Sequence, residues 1–175
     1  MREKRLPLEQ VILGFLMGGP RHGYDLHQAI ESDLGRTWRV GISNVYAVLK
    51  QLERSGWVAG TLAPQESRPP RKVYQITPAG QEAFLQWMRR PVMHMRAVRI
   101  EFLTKLYFYR ALDLDGAADL IVAQEAVCRE RVAQLESSGA RCEERDFDRL
   151  VFDFRRRQVN AILDWLGACR REMAA

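Results

Sequence analysis

The 175-residue sequence lacks any apolar run approaching the roughly 20 residues needed to cross a bilayer. The stretch Val11–Met17 is too short, and Pro7 and Glu9 flank it. No small-residue cleavage site follows that stretch, so Arg2, Lys4 and Arg5 do not read as the start of a signal peptide. Cysteine is scarce: Cys128, Cys142 and Cys169 form no CxxC pair, and their number is odd. This excludes a disulfide framework and a zinc knuckle, and fits a reducing, cytoplasmic setting with no membrane partner. The three histidines, His22, His27 and His94, have no cysteine or carboxylate cluster beside them. No metal and no cofactor is therefore expected. No nucleophile–base constellation accompanies His22-Gly23-Tyr24, so an enzyme is not expected either. That tripeptide reads structurally, with Gly23 relieving a tight turn and Tyr24 packing or contacting phosphate.

What is present is an uneven charge. Residues 1–90 hold 13 Lys/Arg against 8 Asp/Glu, whereas residues 91–175 hold 14 of each. A basic half beside a balanced half suggests one module for a polyanion and another for a different task. The hydrophobic pattern divides the chain at the same place, with Arg89-Arg90-Pro91 as the boundary between residues 1–90 and 91–175.

In the first half, Leu8, Val11, Ile12, Phe15 and Leu16 recur at helical spacing until Gly18-Gly19-Pro20. A second helix over about Tyr24–Leu34 carries Leu26, Ile30 and Leu34, with Gly35 as its expected cap. Trp38 and Val40 read as extended and buried. Ser43 is the expected N-cap of a third helix, with Val45, Val48, Leu49 and Leu52 inside. Asn44, Tyr46, Ala47, Lys50, Gln51 and Arg54 mostly face outward. Two extended runs follow, Trp57–Leu62 and Lys72–Ile76, around a polar, proline-rich tip. Thr77-Pro78 then starts a fourth helix, with Ala83, Phe84, Trp87 and Met88 on its apolar side. Three helices and a two-stranded wing make a winged helix-turn-helix.

The second half predicts helices alone: Ile100–Ala111, then one from near Asp113 to about Ser137, then one from about Glu143 to Met173. On the last, Phe147, Val151, Phe154, Ile162, Trp165, Cys169 and Met173 recur every three or four residues. Two amphipathic helices joined by a short break form an αα-hairpin, and a second subunit is an attractive cover for their stripes. The expected class is mainly α with a small β-hairpin: a winged-helix N-terminal domain and a C-terminal helical dimerisation arm.

Four segments, in this order, resemble the PadR-like transcriptional regulators. They are Gly19–Leu26; Val45-Tyr46 with Leu49–Gly56; Arg68–Tyr74; and Ile76–Gly80. The helices after Arg99 resemble the arm of the longer, virulence-activator-type members. The resemblance implies a homodimer on an inverted-repeat operator in double-stranded DNA, acting as a repressor or an activator and responding to a small-molecule effector. It implies that the Tyr46 hydroxyl reaches a phosphate, against the alternative of a core aromatic. Members often carry proline after this tyrosine; here Ala47 follows it and Ile42-Ser43-Asn44 precede it. The preferred bases therefore do not carry over.

The first turns of a recognition helix reach the major groove, where base pairs are distinguishable. Ser43, Asn44, Tyr46, Ala47 and Lys50 lie there. Asn44 suits an adenine edge or serves as a helix cap; Ala47 suits a thymine methyl; Lys50 suits guanine or phosphate. Arg68, Arg71 and Lys72 on the wing suit the backbone or a narrow minor groove. Trp87, Phe102, Phe108, Phe154 and Trp165 are candidates for an effector pocket, against ordinary core and dimer packing. The alternative function is a winged-helix protein-interaction module without specific DNA recognition.

Overall fold

The computed structural model describes residues 7–63, 71–140 and 147–173. The elements are α1 (Leu8–Met17), β1 (Arg21–His22), α2 (Gly23–Leu34), α3 (Ile42–Arg54), β2 (Val58–Ala63), β3 (Arg71–Ile76) and α4 (Pro78–Arg89). A short α5 (Met95–Ala97) runs into a π-helical turn, Val98–Phe102, followed by α6 (Leu103–Ala111), α7 (Ala117–Gly139) and α8 (Phe147–Met173). Two compact units result: the described residues up to 89 with 99–114, and residues 90–98 with those from 115 on.

The first unit is built around α1, which packs against α2, α3, α4 and β3. Being surrounded, it buries Val11, Ile12, Leu13, Phe15 and Leu16 rather than one stripe. Each such side chain contributes about 1.5–3 kcal/mol on burial. α2 buries Leu26, Ile30 and Leu34, spaced four residues apart on one face. Gly35 is the C-cap of α2, as expected, in a right-handed conformation (φ −61°, ψ −19°). The chain turns through backbone bonds from Thr37 and Trp38 to the Leu34 carbonyl, 2.8 and 3.0 Å, and buries Trp38 and Val40. α3 buries Val45, Leu49 and Leu52 against this core. At the start of α4, the Thr77 hydroxyl accepts the Gly80 N–H at 3.2 Å, as expected of a capping threonine.

The sheet has three antiparallel strands in the order β1-β3-β2, not the hairpin alone. β1 pairs Arg21 with Tyr74 and His22 with Val73. Two residues between Pro20 and a helix carry no periodicity, so this strand is invisible to pattern reading.

The division at residue 90 assigns α6 to the arm, but α6 packs in the first unit. The Phe108 ring stands edge-on to Phe15 and Phe84, each at 5.4 Å, and fits over Gly14, where any Cβ would meet it at 2.5 Å. Lys105 is fully buried, its ammonium 3.4 Å from Glu101 and 4.6 Å above the Trp87 ring.

In the second unit α7 and α8 pack along one another. Arg170 lies near Glu125 (3.6 Å), and Phe152 lies against Gly139, so the pair is antiparallel. α7 starts at Ala117, not near Asp113. Asp113 (φ +50°) and Gly116 (φ +102°) turn the chain first. α7 also continues through Ser138 and Gly139, the expected break. α8 begins at Phe147, and the expected start near Glu143 lies outside the described residues. The Gln124 side chain accepts the Val92 N–H at 2.6 Å and donates to its carbonyl at 2.9 Å. No described helix is long and apolar enough to cross a membrane.

Candidate nucleic-acid interface

With Val45, Leu49 and Leu52 turned inward, the helical period leaves Ile42, Ser43, Asn44, Tyr46, Ala47 and Lys50 exposed on α3. The N-cap is Gly41, not Ser43. Its extended backbone (φ −74°, ψ 144°) lets its carbonyl accept the Asn44 N–H at 2.9 Å, and no side chain caps the helix. Ser43 and Asn44 are thus inside the first turn, where backbone N–H groups and the helix dipole favour an anion. This removes helix capping as the task of either side chain.

Tyr46 is 45 % exposed, which disposes of the core-aromatic alternative. Its ring lies directly on Gly23, where a Cβ would fall 2.5 Å from Cε1. Gly23 therefore serves close approach between α2 and α3, not a tight turn; its φ is not among the positive ones. Tyr24 is 51 % exposed, its hydroxyl accepting from Gln28 at 3.1 Å.

β1 supplies the remaining geometry. By pairing with β3 it sets the start of α2 beside the wing. His22, Gly23, Tyr24, Tyr46, Arg71 and Lys72 thereby line one open concavity of about 480 Å³. Arg71 is exposed. Lys72 is placed differently from expectation: its ammonium lies 2.7 Å from Glu53 of α3. The side chain crosses β2 at Gly60, where a Cβ would meet Lys72 Cε at 2.1 Å. The Glu53 carboxylate holds the Lys72 pKa above its ordinary value. Lys72 therefore ties the wing to α3, and its charge is already matched. Gln51 is also engaged, donating to Glu9 of α1 at 2.8 Å. Arg68 lies outside the described residues.

Sequence reading missed two kinds of residue here. His22 enters the concavity because of β1. Arg36 and Arg39, exposed on the approach to α3, add positive charge and were legible as a basic pair before the helix.

The effector-pocket candidates do not share one environment. Phe102 and Phe108 are core residues of the first unit, and the Trp87 indole donates to Glu101 at 3.1 Å. Phe154 (61 % exposed) and Trp165 belong to α8 in the second unit. Burial pushes the Cys128 and Cys169 thiols up, opposite to an activated thiolate. Among the described residues no cluster of His, Cys, Asp or Glu could hold a metal ion.

A tri-helical core, an exposed third helix and an adjoining basic wing define a winged-helix transcriptional regulator. Residues 12–86 match the model of the transcriptional regulator PadR-like family, and residues 98–174 match that of the virulence activator alpha C-terminal region. By these matches residues 12–86 form a PadR-like domain, followed by a virulence-activator-type C-terminal region. It is similar to the negative transcriptional regulator PadR of Bacillus subtilis, 29% identical over 131 residues, 75% of this chain and 72% of that protein. It is also similar to the probable transcriptional regulator Rv1176c of Mycobacterium tuberculosis, 29% identical over 57% of this chain and 52% of the relative. Among solved structures, Bacillus subtilis PadR in complex with operator DNA matches with a TM-score of 0.50 and 25% identity, covering 95% of this chain and 98% of that one.

Proposed function

We propose that this regulator is a homodimeric repressor that binds an inverted-repeat operator, reading bases with Ser43, Asn44, Ala47 and Lys50 and gripping phosphates with Tyr24, Tyr46 and Arg71. The observation that carries the reading is the single exposed face shared by the first turns of α3 and the concavity beside the wing. The similarity to a PadR solved on its operator supports it. Lys72 joins this set as a positioning residue, through Glu53.

The two-fold partner is supported by α8. Phe147, Leu150 and Phe154 occupy one helical face and are 74 %, 68 % and 61 % exposed. Such a stripe calls for a covering surface, and self-pairing presents two copies of α3 to successive major grooves about 34–36 Å apart. The bland account of Phe154 and Trp165, dimer packing, is thereby favoured over an effector pocket. A small molecule that biases the spacing of the α3 pair completes the proposal. The protein works in the cytoplasm, where its DNA is.

The test is a gel-shift titration of genomic fragments flanking its own coding sequence against random duplex, repeated across salt concentrations. Preference for one fragment with a steep salt slope is expected. Equal affinity for every fragment refutes sequence-specific reading.

A further inference from the structure

His22 has no part in the reading above, yet it lines the concavity with Tyr24, Tyr46, Arg71 and Lys72. Its Nδ1 lies 3.2 Å from the backbone carbonyl oxygen of Lys72. A carbonyl only accepts, so Nδ1 must carry the proton of that bond. In the neutral ring the other nitrogen, Nε2, then holds a lone pair. A lone pair repels a phosphate oxygen. Once protonated, the imidazolium donates from both nitrogens, keeping the Lys72 bond and offering a charged N–H from Nε2.

We infer that His22 is a proton-linked phosphate contact: a backbone phosphate of duplex DNA seats in the concavity between α2, α3 and the wing, and its binding takes up one proton on Nε2 of His22. The inference rests on the proposed DNA-binding reading and adds a site residue and a pH dependence to it.

The surrounding charges favour this occupant. β3 contributes Arg71 and Lys72, whereas Arg21 of β1, next to His22 in the strand, points to the opposite face with its guanidinium 5.8 Å from the Phe15 ring centroid. α3 contributes the Tyr46 hydroxyl and Glu53, whose carboxylate is bound to Lys72. α2 contributes the Tyr24 hydroxyl and, in its first turn, Asp25. Lys72 is matched by Glu53, which leaves Arg71 as the cation lining the concavity that a phosphate can engage without breaking a described ion pair. An imidazolium adds a second cation, and two cations with two tyrosine hydroxyls supply donors for the two non-bridging oxygens of a phosphodiester, each of which accepts more than one hydrogen bond.

Two variants separate the two nitrogens. His22→Asn places its amide nitrogen where Nδ1 stands, retaining the bond to the Lys72 carbonyl and losing Nε2. His22→Gln places a donor near Nε2 that does not titrate. The assay is fluorescence anisotropy with a labelled 30-base-pair duplex of random sequence, since a phosphate contact needs no particular bases. Affinity is measured from pH 8 to pH 6 for the wild type and both variants. The wild type should bind several-fold tighter at pH 6, by up to about tenfold per pH unit for each site, and its salt slope should steepen by roughly 0.9 per site. Both variants should lose this increment, with His22→Asn the weaker binder at pH 6. Circular dichroism at each pH checks that they remain folded. Equal pH dependence in all three folded proteins overturns the inference while leaving the DNA-binding reading intact. Absence of duplex binding by the wild type at every pH overturns both.

Discussion

Gly14 and Gly23 pose the same local problem and should answer it oppositely. A Cβ built on either lies 2.5 Å from an aromatic ring, Phe108 for Gly14 and Tyr46 for Gly23. Ordinary contact requires the ring to retreat by about 1 Å. Phe108 is 1 % exposed and held edge-on between Phe15 and Phe84, so it has nowhere to go. Overpacking of this kind costs about 1–3 kcal/mol. Replacing a helical glycine by alanine returns about 0.5–1 kcal/mol. Gly14→Ala should therefore destabilise by about 1–2 kcal/mol, lowering Tm by several degrees. The Tyr46 ring is nearly half in solvent and can swing outward. Gly23→Ala should leave stability within about 1 kcal/mol of the parent, because helix propensity and the ring's displacement offset each other. Its cost appears in DNA binding. Displacing the Tyr46 hydroxyl from a phosphate forfeits about 1.5–3 kcal/mol per subunit, a rise in Kd of about tenfold or more. Urea unfolding and anisotropy titration of the two variants give four numbers. A Gly23→Ala protein that unfolds as easily as Gly14→Ala, yet binds DNA normally once folded, would show that Tyr46 is a packing residue and refute the reasoning.

Glu53→Gln removes the partner of Lys72 and frees its ammonium for the DNA backbone. Binding to all sequences should tighten, and the salt slope should steepen by roughly 0.9 per subunit; an unchanged slope would mean that Lys72 does not reach DNA even when released. Phe154→Glu puts a charge into the exposed stripe of α8 and should shift the sedimenting species from dimer to monomer with helical content retained; a full-strength dimer would place the interface elsewhere. Cys128, buried and with its thiol pushed up by desolvation, should resist iodoacetamide at pH 8 in the native protein and react once urea unfolds it, as read by peptide mass. Rapid native labelling would show that the helix pair opens around Gln124 and Cys128.

Much of the first unit was legible because its elements are locally coded. The stripes of α2 and α3 alternate at the helical period, Thr77-Pro78 is a cap followed by a favoured first residue, and the wing strands flank a run of prolines. α1 was also found, although it is buried nearly all round. The boundary at residue 90 followed composition and could not register α6. Its Phe108 needs a glycine 94 positions away to dock, and no local pattern reports such a pairing. The start of α7 was likewise set by the backbone turns at Asp113 and Gly116, which no helical periodicity reports.

The candidate site divides along the same line. Which α3 residues face outward followed from the sequence alone, since Val45, Leu49 and Leu52 dictate the inner face and a helix has only one opposite side. The winged-helix class followed too, from the order of elements. Whether the outward-facing Tyr46 was covered by a neighbouring element or left in solvent, whether Lys72 was available or already paired, and whether His22 belonged to the site at all were decided by tertiary structure. Each depends on contacts between residues 19 to 50 positions apart: Tyr46 over Gly23, Lys72 on Glu53, His22 beneath the Lys72 carbonyl. A sequence shows which side of its own helix or strand a residue takes. What charge or ring it meets there is set by the neighbouring element, and here that element was placed by a two-residue strand with no periodicity of its own.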